Sequence, residues 1–246
     1  MKYDLLVYNA KIHTLKDDTS YSNMLVKDRE VALLVKEKYL KDDINLSEDI
    51  STFFNGRGQT IIPAFYVFEE DFGKMIMSIM EYFFPKKEEK KDIVYVSRET
   101  ARAMIQNGIV MVRPIDSVMD KDEKFAYNCF NKFYFGEILK PFIKEEQRSE
   151  KKYDKEQIKR ILNPIYNISK TKGKIDIKNR LLKEMDKKDS MQNIGSLDIG
   201  SKANFLTLNK DIFNIDMDEI DKLQITSSFL EGRELTLEKG SILQNI

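Results

Sequence analysis

Apolar and polar positions along the chain change their period twice. Residues 4–15 read as a strand, and beyond Asn9 they alternate, with Ala10 and Ile12 on one face and Lys11 and His13 on the other. Residues 24–26 and 31–35 read as the arms of a hairpin that turns at Lys27-Asp28-Arg29-Glu30. Tight hairpin turns favour the positive φ that glycine supplies, so a turn holding Arg29 must differ from that type or carry strain. Asn55-Gly56-Arg57-Gly58 is a strong turn signal ahead of the apolar strand 60–62.

The middle of the chain shifts to helical spacing. Apolar residues at 72, 75, 76, 79, 80 and 83 predict a helix over 72–84, ended by Pro85 and followed by a solvated charge run at 86–91. Residues 93–96 read as a short strand. Ser97 then caps a helix over 98–107, with Gly108 closing it. Residues 109–112 read as a strand that stops before Pro114. The aromatic-rich stretch 121–144 is predicted helical with breaks near Gly136 and Pro141, and 154–168 and 177–187 are further helix candidates. The highly charged stretch 144–159 reads as a surface segment. Strand signals return at 203–208, a short helix follows at 217–223, and 225–230 and 234–237 form a hairpin about Glu231-Gly232-Arg233.

Composition narrows the partners. The chain has 246 residues, enough to bury a substantial core in one large or two small domains. Lys plus Arg and Asp plus Glu both number 41, so nothing electrostatic favours nucleic acid or an anionic membrane as partner. No apolar run approaches the roughly 20 residues that span a bilayer, and no signal peptide is read at the start. A single cysteine, Cys129, excludes an internal disulfide and fits a reducing compartment, so a cytoplasmic protein is expected. The abundance of Lys, Ile and Asn points to an AT-rich bacterial genome.

Several blocks carry a family resemblance in family order. They are Asp4-Leu5-Leu6-Val7-Tyr8-Asn9-Ala10-Lys11-Ile12, the hairpin at 24–35, and the turn Gly56-Arg57-Gly58-Gln59-Thr60-Ile61-Ile62-Pro63. Further on come "ARAMIQNGIVMVR" at 101–113 and Gly195-Ser196-Leu197-Asp198-Ile199-Gly200-Ser201-Lys202-Ala203-Asn204-Phe205, with a closing segment at 211–232. Together they resemble the metal-dependent amidohydrolases, the closing segment being most similar to the long-chain exoenzyme-like branch. The resemblance implies a mixed α/β fold. Residues 1–62 and 190–246 would form a composite β-sandwich, and residues 63–189 a shortened insert. A complete (β/α)8 barrel takes about 200–250 residues, so the insert has room for a reduced, incomplete TIM-barrel-like layer only. Its open edges favour a homo-oligomer or a protein partner.

The family's activity rests on a metal-activated water held by histidines. In this chain the resemblance places Glu69 and Asp71 at the two positions of the family's His-x-His, with Val67 where an acid normally precedes them. Glu69 and Asp71, helped by Asp116, make an oxygen-ligand candidate for Mg²⁺, Ca²⁺ or Mn²⁺. The plainer reading is that Glu69-Glu70-Asp71 is an acidic helix start, and it is favoured about five to one because acids are so common there. His13 is the one histidine, and it reads as an exposed strand residue. A zinc site of His and Cys is excluded by number. A Cys129–His13 dyad would join remote elements, and Cys129 among Phe125, Phe130 and Phe133 reads as core. No G-x-S-x-G, G-x-x-x-x-G-K-[ST] or G-x-G-x-x-G occurs. The aromatics at 125, 127, 130, 133, 134 and 135 read as core or interface before ligand platform. The expected function is therefore a catalytically inactive amidohydrolase-like protein that acts by binding or assembly, with no cofactor and no metal. The alternative is a hydrolase of C–N bonds with a remodelled carboxylate site. No small-molecule ligand is legible.

Overall fold

The computed structural model describes residues 2–16, 19–36, 46–84, 90–116, 118–143, 153–169 and 195–235. In chain order the elements are β1 (Tyr3–Tyr8), β2 (Lys11–His13), β3 (Ser20–Tyr21), β4 (Asn23–Lys27), β5 (Glu30–Val35), α1 (Leu46–Asp49), β6 (Ile50–Asn55), β7 (Thr60–Pro63) and β8 (Phe65–Glu70). There follow α2 (Phe72–Phe83), α3 (Lys90–Gln106), β9 (Ile109–Asp116), α4 (Lys121–Phe133), β10 (Glu137–Ile138), β11 (Phe142–Ile143), α5 (Lys155–Leu162), α6 (Pro164–Ser169) and β12 (Phe205–Leu208). A 3₁₀ turn, Met217–Lys222, precedes β13 (Ile225–Leu230) and β14 (Arg233–Leu235). The fold is mixed α/β. Among the described residues no helix is long and apolar enough to cross a membrane.

The chain divides into two compact units. One takes residues 1–65 with 168–235, and the other takes 66–167 with 236–246, the latter stretch lying outside the described residues. In the first unit one sheet runs β5-β4-β1-β6 and another runs β14-β13-β12-β7-β2-β3. The second sheet joins both ends of the chain directly, because β12 pairs antiparallel with β7, Phe205 opposite Pro63 and Leu208 opposite Thr60. One buried cluster draws Leu5, Val7, Met24 and Val26 from the first sheet and Ile12, Ile61, Phe205 and Phe229 from the second.

The expected single strand over 4–15 is two strands in two different sheets. Asn9 adopts φ 53°, a left-handed turn that asparagine tolerates better than most residues, and the chain changes sheets there. At the first hairpin both Asp28 (φ 52°) and Arg29 (φ 71°) are left-handed, so the turn keeps the tight form with a non-glycine residue in a strained conformation. Arg29→Gly is expected to raise stability by about 0.5–1 kcal/mol, checked by the shift in urea midpoint. The competing loss is an exposed ion pair to Glu231 at 3.1 Å, and Glu231 keeps Lys202 at 3.0 Å.

In the second unit, residues 93–96 are helical. Their β-branched run suggested a strand, but Ile93, Val96, Ser97, Thr100, Ala101 and Met104 are all buried at helical spacing, and packing against α4 decides the matter. Ser97 is thus mid-helix and buried. Its Oγ lies 2.7 Å from Ile93 O and 3.2 Å from Ala126 O of α4. Strand β9 continues through Pro114. On the side of β10 and β11 the proline falls in a gap, because β10 pairs at Met111 and Val112 and β11 pairs at Ile115 and Asp116, leaving residue 114 between the two. The 121–144 stretch is helical only to Phe133. Gly136 lies where a Cβ would come within 2.4 Å of Val110 O, and two short strands follow. Pro164 splits the 154–168 helix, with Asn163 held extended before it (φ −136°, ψ 85°). The helix expected at 177–187 and most of the charged stretches at 86–91 and 144–159 lie outside the described residues.

Candidate functional site

The residues that the sequence resemblance sets at the metal-ligand positions, Glu69 and Asp71, lie where β8 hands over to α2. Period two along β8 puts Tyr66, Phe68 and Glu70 on one face. The Tyr66 and Phe68 rings are near-parallel with centroids 5.8 Å apart, and the Arg113 guanidinium of β9 sits 5.5 Å from the Phe68 ring centroid. The strand ends at Glu70, so strand alternation does not extend from Glu69 to Asp71. Asp71 is instead the buried N-cap of α2, and its Oδ1 accepts a hydrogen bond from the Lys74 N–H at 3.1 Å. Capping satisfies one of the four free N–H groups at a helix start and places a negative charge at the positive end of the dipole.

A residue that the sequence did not mark closes this cluster. The Tyr153 hydroxyl donates to Glu70 Oε2 at 2.8 Å and accepts from the Asp71 N–H at 3.0 Å. Burial, then the nearby Glu70 charge and hydrogen bond, pushes the Tyr153 phenol well above its ordinary range. It is therefore a fixed donor and not a base. A faint signal did exist. Tyr153 directly precedes the capping box of Asp154 and Gln157, and with the buried Ile158 it fits the paired apolar positions of a hydrophobic staple. Lys74, also buried, went unnoticed because lysine is rarely inside.

The other candidates stand as follows. Glu69 lies in β8 and Asp116 ends β9, and their side chains are outside the description. Among the described residues no group of three or more His, Cys, Asp or Glu is placed to hold a metal ion. His13 is half-buried and packs on Phe213 with ring centroids 4.4 Å apart, so it is not the exposed strand residue expected. Its neighbour on the same face, Lys11, pairs with Asp211, so this face of β2 is tied to the 211–214 turn. Cys129 is buried in α4, where burial pushes its thiol up against a smaller downward pull from Lys132. A protonated thiol is a poor nucleophile, and His13 belongs to the other unit.

Asp71→Ala is expected to cost about 1–2 kcal/mol, the upper part of the N-cap range, because the Lys74 N–H it serves is buried. Asp71→Asn keeps an acceptor oxygen and is expected to recover most of that in urea denaturation. A ligand role would instead make both substitutions equivalent in metal binding.

Comparison with solved structures places the fold. The chain is similar to an adenosine deaminase from Xanthomonas campestris, a crystal structure with bound zinc, at 8% identity and TM-score 0.61 over 98% of this chain and 94% of that one. It is similar to a guanine deaminase from C. acetobutylicum with bound guanine, at 10% identity and TM-score 0.54 over 94% and 99%. It is also similar to an amidohydrolase from Thermotoga maritima MSB8, at 8% identity and TM-score 0.51 over 95% and 100%. No family model and no curated protein matches the sequence. The structural neighbours belong to the amidohydrolase superfamily, and at these identities the likeness is one of fold.

A histidine-held metal centre of the kind that resemblance implies does not fit the residues present. The whole chain contains one histidine, placed in β2 of the first unit, and Asp71 is occupied as a helix cap.

Proposed function

We propose that this chain is an amidohydrolase-fold protein without metal-dependent hydrolysis, acting by binding or assembly. The observation that carries the reading is the donor set. One histidine serves 246 residues, and Asp71, at a position the family gives to histidine, satisfies its own helix. In this reading the two sheets of the first unit are the composite β-sandwich, and β8 to α6 are the reduced, incomplete barrel. The exposed edges of that remnant call for a homo-oligomer or a protein partner. Element analysis of the purified full chain, after dialysis against buffer without chelator, is expected to find zinc, iron and manganese each below a tenth of an equivalent. A stoichiometric metal would overturn the reading.

A second reading keeps hydrolysis of a C–N bond at a carboxylate-held divalent cation. It draws on Glu69 and Asp116, which lie at the C-terminal ends of two strands, β8 and β9, that pair with each other. It requires that Mn²⁺ titrated into the chain binds with one-to-one stoichiometry and that Asp116→Asn weakens it at least tenfold.

A further inference from the structure

Strand β6 is the outer strand of its sheet, and it differs from the other sheet edges of the first unit. Strand β5, at the opposite edge, is covered: Val31 N–H donates to Ser201 O and Gly200 N–H donates to Val31 O, both at 2.8 Å. In the other sheet, β3 has two residues, and β14 has three with the exposed charges Arg233 and Glu234. Short or charged strands and covered edges are the usual protections against strand pairing. Among the described residues, strand β6 shows none of these. It is six residues long, lacks Lys, Arg and Pro, and exposes Ser51, Thr52 and Phe53, the Phe53 side chain being 49% exposed.

The hydrogen-bond parity of β6 says which groups are offered. β6 runs parallel to β1 with Tyr8 opposite Asn55 and Leu6 opposite Phe53, and Gly56 N–H donates to Tyr8 O at 2.8 Å. In a parallel ladder a residue turns its N–H and C=O to the same side, so Thr52 and Phe54 face β1 while Ser51 and Phe53 face outward. Beside that edge lies a groove of about 590 Å³, floored by Phe54 and Phe229, whose rings meet edge-on at 4.8 Å. Its rim carries the carboxylates of Asp4, Asp28, Glu231 and Glu234 against the guanidiniums of Arg29 and Arg233. Arg29 is already paired with Glu231. The rim is left net negative.

We propose that the β6 edge and its groove dock an extended segment of another protein, added as a strand and alternating apolar with basic side chains. The outward N–H and C=O groups of Ser51 and Phe53 bind its backbone. The Phe54–Phe229 floor takes its apolar side chains, and the acidic rim selects its cations. This docking is independent of whether the chain hydrolyses anything.

The test uses the full chain and two capped probe peptides, (Lys-Val)3 and (Glu-Val)3, followed by amide hydrogen exchange. The basic peptide is expected to slow exchange at Ser51 and Phe53 at least tenfold while leaving Thr52 and Phe54, already bonded to β1, unchanged. The acidic peptide is expected to bind at least tenfold more weakly. Phe53→Lys, which keeps the backbone but adds a like charge, is expected to weaken the basic peptide at least tenfold, with an unchanged circular dichroism spectrum as the check on folding. Equal binding of the two peptides, no binding of either at millimolar concentration, or protection of odd and even residues alike would overturn the proposal. So would slow exchange at Ser51 and Phe53 in the free chain, which would mean that the chain's own residues already cover the edge.

Discussion

Phe205→Ala is expected to destabilise the first unit by about 3–5 kcal/mol, among the largest effects of any single replacement in the chain. Phe205 is fully buried on β12, and its ring stacks on Phe229 with centroids 4.2 Å apart. Phe229 in turn meets Phe54 of the other sheet edge-on at 4.8 Å. The three rings thus cross from one sheet to the other through the cluster that holds both chain ends. Losing one end of such a bridge removes transfer energy and leaves a cavity that cannot readily close, because the lining residues are held in two hydrogen-bonded sheets. With a total stability of about 5–15 kcal/mol, the loss is a large share. A two-unit chain need not unfold in one step, so the measurement is native-state hydrogen exchange at Leu206 and Ile61, whose opening free energies are expected to fall together. Phe205→Leu keeps most of the volume and is expected to cost under half as much. An alanine variant losing less than about 1 kcal/mol would mean that the two sheets do not share this core.

What the sequence made legible follows from which interactions are local. The turn at Gly56-Arg57-Gly58, the hairpin at Asp28-Arg29 and the helix from Phe72 each carry their signal within a few residues, and each is present. The meeting of the two chain ends was read from the resemblance, and the pairing of β7 with β12 provides it. Apart from the break at Pro164, which is local, the failures at 93–96, Pro114 and Asn9 are places where a distant neighbour decides. Residues 93–96 have strand propensity, but α4 buries their helical face. Pro114 looked like a strand end, yet the strand passes through, and on one side the residue falls between the pairings with β10 and β11. Asn9 hid a change of sheet inside one apolar run, since alternation alone cannot say which sheet a strand joins.

The candidate site divides in the same way. That Asp71 starts a helix was legible, because an acid ahead of an apolar helical pattern is a local signal. Its partner Tyr153 was not. The two residues lie 82 apart in sequence, and no period or motif links them. The Lys74 side chain is buried against the general habit of lysine, which no single-sequence rule anticipates. The cluster therefore reads from the structure as a fastening of residue 153 onto the end of β8. Its phenol is pushed well above its ordinary range and is held protonated, and the Asp71 carboxylate is engaged in capping α2.

Phe130→Ala is expected to have an effect of the same size on the second unit, about 3–5 kcal/mol. Phe130 is fully buried on α4, and its ring lies near-parallel to Phe72 of α2 at 5.0 Å and to Tyr134 at 5.1 Å. Tyr134 extends the stack to β9 by donating its hydroxyl to Ile109 O at 2.9 Å. Burial, helped by the Glu137 charge, pushes that phenol far above its ordinary range, so the bond persists across the accessible pH range. The same helix pair is drawn tight at Gly73, where a Cβ would come within 2.7 Å of Glu123 O, so α2 cannot slide to fill a hole left by Phe130. Aromatic pairing adds about 0.5–1.5 kcal/mol per pair beyond the area buried, which favours the upper part of the range. The described helices of the first unit are a single turn and a 3₁₀ segment, so helical circular dichroism in urea reports mainly α2, α3 and α4. The expected result is a midpoint lowered in proportion to the loss, with an unchanged slope. Tyr134→Phe, which removes only the hydroxyl, is expected to cost about 1–2 kcal/mol. If Phe130→Ala cost no more than Tyr134→Phe, the ring stack would not be what holds α2 against α4, and the backbone contact at Gly73 would have to carry that role alone.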